Sequence, residues 1–326
     1  MVRLSGRVNS NEPKRFDVYF VDESEKNISL TRSQLKTRLK ELIINGKPAK
    51  LSSKVKAGDT YDIVLNDEES TEIVPESIPL EIIFENNDLW VINKPQGMVT
   101  HPAHGNWTGT LANALLGRFD TKNDMPHRAG IVHRLDKETS GVIIAAKNLY
   151  AQEFLSMQFR QRTTEKFYIA LVFGKPPHNS GTIDTWIARD TMHRQRFTVS
   201  KPEIGKHALS EYKLIKTFTT NETIVSLLLV KIKTGRTHQI RVHCKYLGCP
   251  IIGDTVYRTR ASSNNSVTLM LHAYYIKIKL PITETVSEFI APIPERFITY
   301  CNALNYALDE QILLNAIHSW NITATK

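Results

Sequence analysis

Apolar and polar positions repeat with two different periods along the chain, and each period predicts a type of element. Short apolar runs rich in β-branched residues predict strands at Leu80–Phe84, Leu89–Ile92 and Val142–Ala146, the last buried on both faces. The alternating stretch EKFYIALVFG predicts another strand, with Lys166 and Tyr168 on one face. The longest apolar run, VSLLLV, suits a buried strand and is too short to cross a bilayer.

Near the N-terminus, apolar residues recur at helical spacing. Leu35, Leu39 and Leu42 would share one face of a helix capped by Ser29 or Thr31. The turn signals NG and AGD follow, and the alternating TYDIVL predicts a strand. This segment therefore predicts a small α/β domain.

Three further helices are predicted in the second part of the chain. Asn148 is a suitable N-cap for one of them. Thr237 is a suitable N-cap for another, which Gly248 would end. A helical pattern also follows Pro294 and is expected to pack on the core.

Changes in composition divide the chain into four segments. Residues 1–14 are predicted to be a tail, and residues 15–66 a charged small domain. The acidic, proline-bearing residues 67–79 are predicted to be a linker. Residues 80–326, including the helical C-terminal part, are predicted to form the large domain.

Charge adds a partner to this picture. The 326 residues include 42 Lys and Arg against 33 Asp and Glu, a formal net charge of +9 that favours a polyanionic partner. The N-terminus lacks the apolar region of a secretory signal, and three cysteines form no CxxC pair. A reduced, cytoplasmic location without a membrane is therefore expected, with the cysteines as small core residues.

The stretch GIVHRLDKETSGVIIAAK places charged residues between two apolar segments. Asp136 lies on the loop that leads into the predicted buried strand, where a carboxylate needs a cation or several donors to stay ionised. Arg134 is one possible partner. The alternative is a surface salt bridge, with Thr139 and Ser140 capping the loop.

Cations also cluster in GRTHQIRVH, around the N-terminus of the helix predicted to begin after Thr237. They are Arg236, His238, Arg241 and His243. A helix N-terminus attracts anions, so this density of cations favours a binding role over a purely structural one.

Taken together, four stretches resemble the RluA-type family of RNA pseudouridine synthases. They are HRLDKETSG, EKFYIALVFG, GRTHQIRVHCKYLGCPIIGDTVY and LMLHA, in the family's order and spacing over residues 80–296. NKPQGMVTHPAHGNWTGTLANALL looks most like the branch of RluC and RluD, which modifies large-subunit ribosomal RNA. The N-terminal order of helix, NGK and KVKAGD resembles the S4 RNA-binding domain.

The resemblance implies an α+β fold. Its catalytic domain would contain a mixed, mainly antiparallel sheet flanked by helices, preceded by a small S4-like α/β domain. The implied reaction breaks the N1–C1′ bond of a uridine, turns the base and rejoins it through C5. It needs no redox cofactor, metal or nucleotide, and the sequence contains neither a P-loop nor GxGxxG. The expected substrate is 23S ribosomal RNA rather than transfer RNA, and the expected state is a monomer.

By the same resemblance, Asp136 is the essential carboxylate, acting as a nucleophile on C1′ or as a base on the sugar. Tyr168 matches the tyrosine that stacks on the base and takes the C5 proton. Arg241 matches the arginine that pairs with the aspartate, and Arg134 the residue that enters the RNA stack when the uridine is flipped out. The other residues expected to contact RNA are His133, Lys166, Arg236, His238, Lys94, Arg32, Lys36, Lys40 and Lys47.

Two other classes of protein remain as alternatives. An RNA-binding assembly factor with a vestigial catalytic fold would explain the charge equally well, but not why Asp136, Tyr168 and Arg241 all match the family. A phosphotransferase is suggested by His133 and Arg134, yet Leu135 interrupts the kinase pattern HRD. ATP binding distinguishes this alternative, since a pseudouridine synthase neither binds nor needs ATP.

Overall fold

The computed structural model describes residues 1–10, 12–24, 30–66, 73–103, 105–119, 127–193, 195–219, 223–257 and 267–320. The chain divides into two compact units, Met1–Glu72 and Ile73–Lys326. Each unit buries a hydrophobic core of its own.

The N-terminal unit combines two helices with an antiparallel sheet of four strands in the order β1-β6-β3-β4, and a separate pair of short strands, β2 and β5. Its elements are β1 (Val2–Arg7), β2 (Lys14–Arg15), α1 (Phe16–Ser24), α2 (Arg32–Arg38), β3 (Leu39–Ile44), β4 (Lys47–Pro48), β5 (Lys54–Val55) and β6 (Thr60–Leu65). As predicted, Thr31 caps α2, and its hydroxyl accepts from the backbone of Gln34.

Two predictions for this unit are wrong. The expected tail contains β1, which pairs along its whole length with β6. The predicted helix is also too long, because α2 ends at Arg38 and Leu39 and Leu42 lie in β3. Leu35 and Leu42 both reach the core, one from the helix and one from the strand, so the apolar spacing does not separate the two elements.

The larger unit is built on one ten-stranded sheet, in the order β12-β11-β13-β14-β10-β15-β9-β8-β7, with β16 paired to β15. Its strands are β7 (Glu81–Glu85), β8 (Leu89–Lys94), β9 (Ser140–Ala146), β10 (Glu165–Phe173), β11 (Ser180–Arg189), β12 (Phe197–Ser200), β13 (Lys206–Thr219), β14 (Ile224–Ile232), β15 (Leu271–Lys279) and β16 (Val286–Ile290). All neighbouring strands are antiparallel except β15 and β9, which are parallel. The mixed, mainly antiparallel sheet is therefore confirmed.

The larger unit contains five α-helices among the residues that the structure describes. They are α3 (Leu111–Leu116), α4 (Leu149–Gln161), α5 (Gln239–Tyr246), α6 (Glu295–Ala303) and α7 (Glu310–His318). The Asn148 side chain accepts from the backbone of Ala151 and caps α4, as predicted. The prediction for α5 is wrong at its start, since His238 rather than Thr237 occupies the N-cap position. Gly248 follows its C-cap with a positive φ of 77°, as a helix end requires.

The predicted linker is wrong for its second half. Residues 67–72 lie outside the described residues, but residues 73–79 belong to the larger unit. The backbone of Glu76 donates to the carbonyl of Asn113, and the Asn113 amide donates to the carbonyl of Val74. Ile73 and Ile78 pack against the core, so this stretch is part of the larger unit's packing.

Cysteine placement agrees with the reduced state expected from the sequence. Cys244, Cys249 and Cys301 are buried free thiols, as predicted for core residues. Among the described residues, no helix is long and apolar enough to span a membrane.

The strand β9 leads out of the predicted reactive loop and is buried over its whole length. Gly141 on this strand has a φ of 115° and is paired with Ala273 of the parallel strand β15. A β-carbon at residue 141 would lie 2.1 Å from the carbonyl oxygen of Ala273. Only glycine therefore allows β9 and β15 to approach this closely.

Replacing Gly141 with alanine tests this constraint. Gly141→Ala should lower the free energy of unfolding by about 3–5 kcal/mol, because backbone strain adds to a steric clash. Gly248→Ala is the matched control, since Gly248 also has a positive φ but no atom near its missing β-carbon. It should lose only about 1–2 kcal/mol. Equal losses in urea unfolding would contradict the close approach of β9 and β15.

Candidate active site

A cleft opens beside the central strands and is lined mainly by four parts of the larger unit, with Leu271 of β15 as a further lining residue. It encloses about 470 Å³ and is open to solvent. Its walls come from the loop before β9, from β10, from the end of β14 with the turn that follows, and from α5. Asp136, Tyr168, Arg236, His238 and Arg241 all line this one cleft.

Asp136 lies between two nitrogen-bearing side chains in the cleft. Its Oδ2 is 4.0 Å from Nη1 of Arg241 and 4.0 Å from Nε2 of His238. The Asp136 side chain is 18% exposed, so it faces the cleft rather than bulk water. Of the two candidate arginines, Arg241 is the cation within ion-pair distance of this carboxylate, and Arg134 is exposed.

The alternative of a surface salt bridge in this loop is wrong. The Ser140 hydroxyl does not cap the loop but is buried 2.8 Å from Nδ1 of His272. Thr139 is buried as well, and its backbone closes the turn by donating to the carbonyl of Asp136. The carboxylate is therefore presented by a turn that other parts of the fold hold in place.

Arg241 is held chiefly by a second acid, Asp254. Its Nε and Nη2 donate to the two carboxylate oxygens of Asp254 at 2.7 and 2.8 Å, and both side chains are buried. Burial opposes the charge of Arg241, but its bonds to Asp254 and the nearby charge of Asp136 raise its pKa above the ordinary value. The remaining nitrogen, Nη1, faces Asp136. The arginine thus stays charged and is shared between two carboxylates.

Tyr168 lies on β10 with its side chain buried against the cleft. Burial and the charge of Asp136 raise the pKa of its hydroxyl above the ordinary value. At neutral pH Tyr168 is therefore a protonated phenol. That state suits stacking on a base, whereas accepting a proton would first require the phenolate.

The loop carrying Asp136 is clamped by the stretch NKPQGMVT, in which Lys94 was expected to contact RNA. Nζ of Lys94 and the backbone of Gly97 both donate to the carbonyl of Lys137. The side-chain amide of Gln96 donates to the carbonyl of Glu138. The Thr100 hydroxyl donates to the carbonyl of Leu135 at 2.7 Å. These bonds fix the backbone on both sides of Asp136.

Two residues predicted to contact RNA are instead structural. Lys94 is fully buried, and its Nζ also donates to the carbonyls of Pro95 and Met98. His133 accepts a hydrogen bond from the backbone of Ile144 through Nε2 and stacks on Phe159, with centroids 4.5 Å apart. Burial lowers the pKa of His133 to about 3, so it is neutral and carries no charge for phosphate.

The other predicted RNA contacts in the larger unit have different surroundings. Arg134 is exposed at the cleft. Arg236 lines the cleft and also a neighbouring groove, with Arg189 and Lys206. Lys166 lies outside the cleft, with Nζ over the ring of Phe159, and burial lowers its pKa to about 8.

In the N-terminal unit, the predicted RNA contacts also differ in their partners. Arg32 donates to Asp17 at 2.8 Å, and Asp17 also accepts two hydrogen bonds from Arg15, so one carboxylate is shared between two guanidiniums. Lys36 is exposed on α2, where the described residues offer it no acidic partner. Lys40 and Lys47 are exposed on β3 and β4, so Lys40 is a strand residue and not a helix residue as predicted.

Several residues that shape the cleft had no assigned role from sequence. Asp254 and Tyr257 both lie in GDTVY, where no local signal shows which side chain they contact. His243, grouped with the cleft cations by sequence, instead lies between Thr185 and Ser210, and burial lowers its pKa to about 4. Gln239 extends this network, because its amide donates to Ser210. Gln239 also accepts hydrogen bonds from the Thr234 hydroxyl and the backbone of Arg236, so this buried network holds the turn before α5.

A partly buried carboxylate, a clamped arginine and a buried tyrosine beside basic grooves define an enzyme site suited to a polyanionic substrate. The sequence model of the RNA pseudouridylate synthase family matches residues 88–246. A relative from Borreliella burgdorferi named ribosomal large subunit pseudouridine synthase D is 41% identical, covering 92% of this chain and 94% of the relative. A protein of the same name from Neisseria meningitidis is 38% identical, covering 81% of this chain and 72% of the relative.

Solved structures give the same result. The human RNA pseudouridylate synthase domain containing 1 superposes with a TM-score of 0.59 at 26% identity, covering 76% of this chain and 98% of that structure. The chain belongs to the RNA pseudouridine synthase family. It is therefore an isomerase that acts on RNA, and the α+β fold expected from the resemblance is confirmed.

Breaking the Arg241–Asp254 pair should be costly. Arg241→Ala should lower the free energy of unfolding by about 3–5 kcal/mol, because it leaves Asp254 charged and buried. It should also slow turnover, since Asp136 loses its nearest guanidinium. The double variant with Asp254→Ala should be less destabilised than the sum of the two single variants. Additive losses in urea unfolding, or an Arg241→Ala protein with unchanged stability and rate, would contradict this assignment.

Proposed function

We propose that this protein converts specific uridines of large-subunit ribosomal RNA to pseudouridine, with Asp136 as the reacting carboxylate. The names of the relatives support the ribosomal substrate, and transfer RNA is the less favoured one. The observation that carries the catalytic assignment is the position of Asp136 in the cleft, between Arg241 and His238 and close to Tyr168.

Isomerisation places specific demands on a carboxylate in this position. The uracil must leave C1′, turn and return through C5 without escaping. A carboxylate that attacks C1′ would hold the sugar covalently, and one that removes a sugar proton would give a glycal. Either role requires an ionised acid beside the ribose, which Nη1 of Arg241 supports electrostatically at 4.0 Å. Neither the nucleophilic route nor the glycal route requires a cofactor. We therefore predict that the protein works without one.

Tyr168 is proposed to contact the turning base. Its aromatic ring can stack on uracil whatever the protonation state of its hydroxyl. A role as the base that removes the C5 proton is less favoured, because burial and Asp136 hold the phenol in its protonated form. The stacking role also suits a base that must rotate while it is detached from the sugar.

The RNA strand is proposed to approach over the basic residues beside the cleft. Arg134 is exposed at the cleft and can occupy the position that a flipped uridine vacates. The neighbouring groove shares the lining residues Gly235, Arg236 and Thr237 with the cleft, and Arg189 and Lys206 also line it. None of the described residues that line this groove is acidic. Phosphates on one side of the target nucleotide would fit this groove.

The N-terminal unit is proposed to be the S4-like module that adds affinity for RNA. Its exposed lysines Lys36, Lys40 and Lys47 carry charge, whereas Arg32 donates to Asp17. Removal of such residues would weaken binding without changing the chemistry in the cleft. The monomeric state and the cytoplasmic location stay predictions.

Asp136→Asn tests the catalytic assignment. The substitution keeps the shape but removes the charge, so isomerisation should fall by about 10³-fold or more while RNA binding survives. Pseudouridine mapping of total RNA from cells carrying wild-type or variant protein measures this and identifies the target sites. Asp184→Asn, an exposed acid paired with His207, is the matched control and should retain activity. Retained modification by Asp136→Asn would rule out the proposed role.

Salt dependence tests the division between binding and chemistry. Lys36→Gln and Lys40→Gln should each reduce the slope of log affinity against log salt by roughly 0.7–0.9. Arg32→Gln should change the slope less, because that guanidinium already donates to Asp17, which it shares with Arg15. Single-turnover rates at saturating enzyme should match wild type in all three variants. A slower bound reaction in the lysine variants would show that this unit takes part in chemistry.

A further inference from the structure

His238 is oriented by packing and not by a role in helix capping. It occupies the N-cap position of α5 with a φ of 56°, and its side chain makes no capping hydrogen bond. A residue with a β-carbon in this region carries strain on the order of 1–3 kcal/mol and persists where its surroundings hold it. Phe197 and Tyr257 approach the imidazole at steep interplanar angles, with centroids 5.5 and 5.6 Å away. The ring therefore has a fixed orientation in the cleft wall.

The hydroxyl of Tyr257 determines which nitrogen of His238 carries the proton. Tyr257 is only 2% exposed, and its oxygen accepts from the backbone of Phe197 at 2.8 Å. Nδ1 of His238 lies 3.0 Å from the same hydroxyl, and the described residues offer no other acceptor for its proton. A buried hydroxyl left without an acceptor would cost about 1–3 kcal/mol. Tyr257 therefore donates to Nδ1.

This bond leaves the ring proton of neutral His238 on Nε2, because a neutral imidazole has one N–H. Nε2 is the nitrogen that lies 4.0 Å from Oδ2 of Asp136. That distance is too long for a hydrogen bond in the free protein. Catalytic hydrogen bonds are often long before substrate binds and shorten in the complex.

We propose that His238 is a positioning residue for Asp136. Nε2–H of His238 donates to the carboxylate of Asp136 once a uridine fills the cleft. Tyr257 sets the tautomer that makes this donation available. Arg241 holds the carboxylate from another direction, with its other two donor groups occupied by Asp254. The part that concerns catalysis rests on the proposed function of Asp136, whereas the tautomer does not.

The charges around His238 come from three parts of the larger unit. Burial lowers its pKa, the carboxylates of Asp136 and Asp254 raise it, and the guanidiniums of Arg241 and Arg134 lower it. The net effect is a lowered pKa, so the ring is neutral at pH 7 and above. Tyr257 also contacts the ring, as a neutral donor. A single defined tautomer is therefore present at the pH of the reaction.

The tautomer can be measured without any assay of activity. Two-bond ¹⁵N–¹H correlation spectra of histidine-labelled protein, assigned with His238→Gln, report which ring nitrogen is protonated. Wild type should show Nε2–H for His238, and Tyr257→Phe should show a mixture or Nδ1–H. A wild-type ring protonated on Nδ1 would overturn the proposal whatever the enzyme's substrate is.

Single-turnover kinetics against pH test the consequence for Asp136. A donor stabilises the ionised carboxylate, so its loss should move the acid limb of the rate to higher pH. His238→Gly removes the donor and relieves the backbone strain, and should slow the reaction roughly 10- to 100-fold. His238→Gln keeps an N–H donor and should restore much of the rate and the wild-type acid limb. Added imidazole should partly rescue His238→Gly.

The control is His318→Gln, an exposed histidine on α7 paired with Glu288, which should leave rate and pH profile unchanged. An acid limb in His238→Gly at the wild-type position, or no rescue by imidazole, would overturn the positioning role. If His238→Gly does not fold, Tyr257→Phe gives the same test through an intermediate shift of the acid limb, and no shift there overturns the role. Failure of the proposed function would appear separately, as retained activity in Asp136→Asn.

Discussion

The buried ion pair between Arg241 and Asp254 is the interaction on which the site depends. Two of the three guanidinium nitrogens are committed to Asp254, whose side chain is 1% exposed, and Asp254 also accepts from the backbone of Val256 and Tyr257. The cation is therefore fixed in direction before any substrate arrives. Asp136 receives one remaining nitrogen at 4.0 Å. One positive charge therefore serves two carboxylates, Asp254 through two short hydrogen bonds and Asp136 at longer range.

The position of Asp136 depends on neutral groups as much as on charge. Thr100, Gln96 and Gly97 bind the carbonyls or amides on either side of it, and β9 follows directly as a fully buried strand. Carbonyl–amide bonds hold a loop without adding a charge that would compete for the acid. The fold thus keeps the backbone of the loop rigid while the carboxylate faces an open cleft. Such preorganisation is what reactions between closely placed groups require.

Positive charge is used for different purposes in different parts of the protein. Lys94 is buried, which lowers its pKa to about 7, and its Nζ donates to three backbone carbonyls, so this side chain stabilises a turn. Arg32 and Arg15 share the carboxylate of Asp17 within the N-terminal unit. Arg134 is exposed at the cleft, and Arg236 lines the groove beside it. The net charge of +9 is therefore a poor guide to the binding surface, since part of it is enclosed or neutralised.

What the sequence by itself determined is local. Period-two alternation located β10, and the side chains of Thr31 and Asn148 marked helix starts. The resemblance of HRLDKETSG and GRTHQIR to a known family, rather than any pattern in the residues alone, placed Asp136 and Arg241 in one predicted site. Only the tertiary structure decided that Asp254 is the main partner of Arg241, that Lys94 and His133 point inward, and that the hydroxyl of Tyr257 lies beside Nδ1 of His238. The physical reason is range. Alternation and capping depend on neighbours within a few residues, whereas these contacts depend on the order of strands in the sheet and on which loops meet at one edge of it.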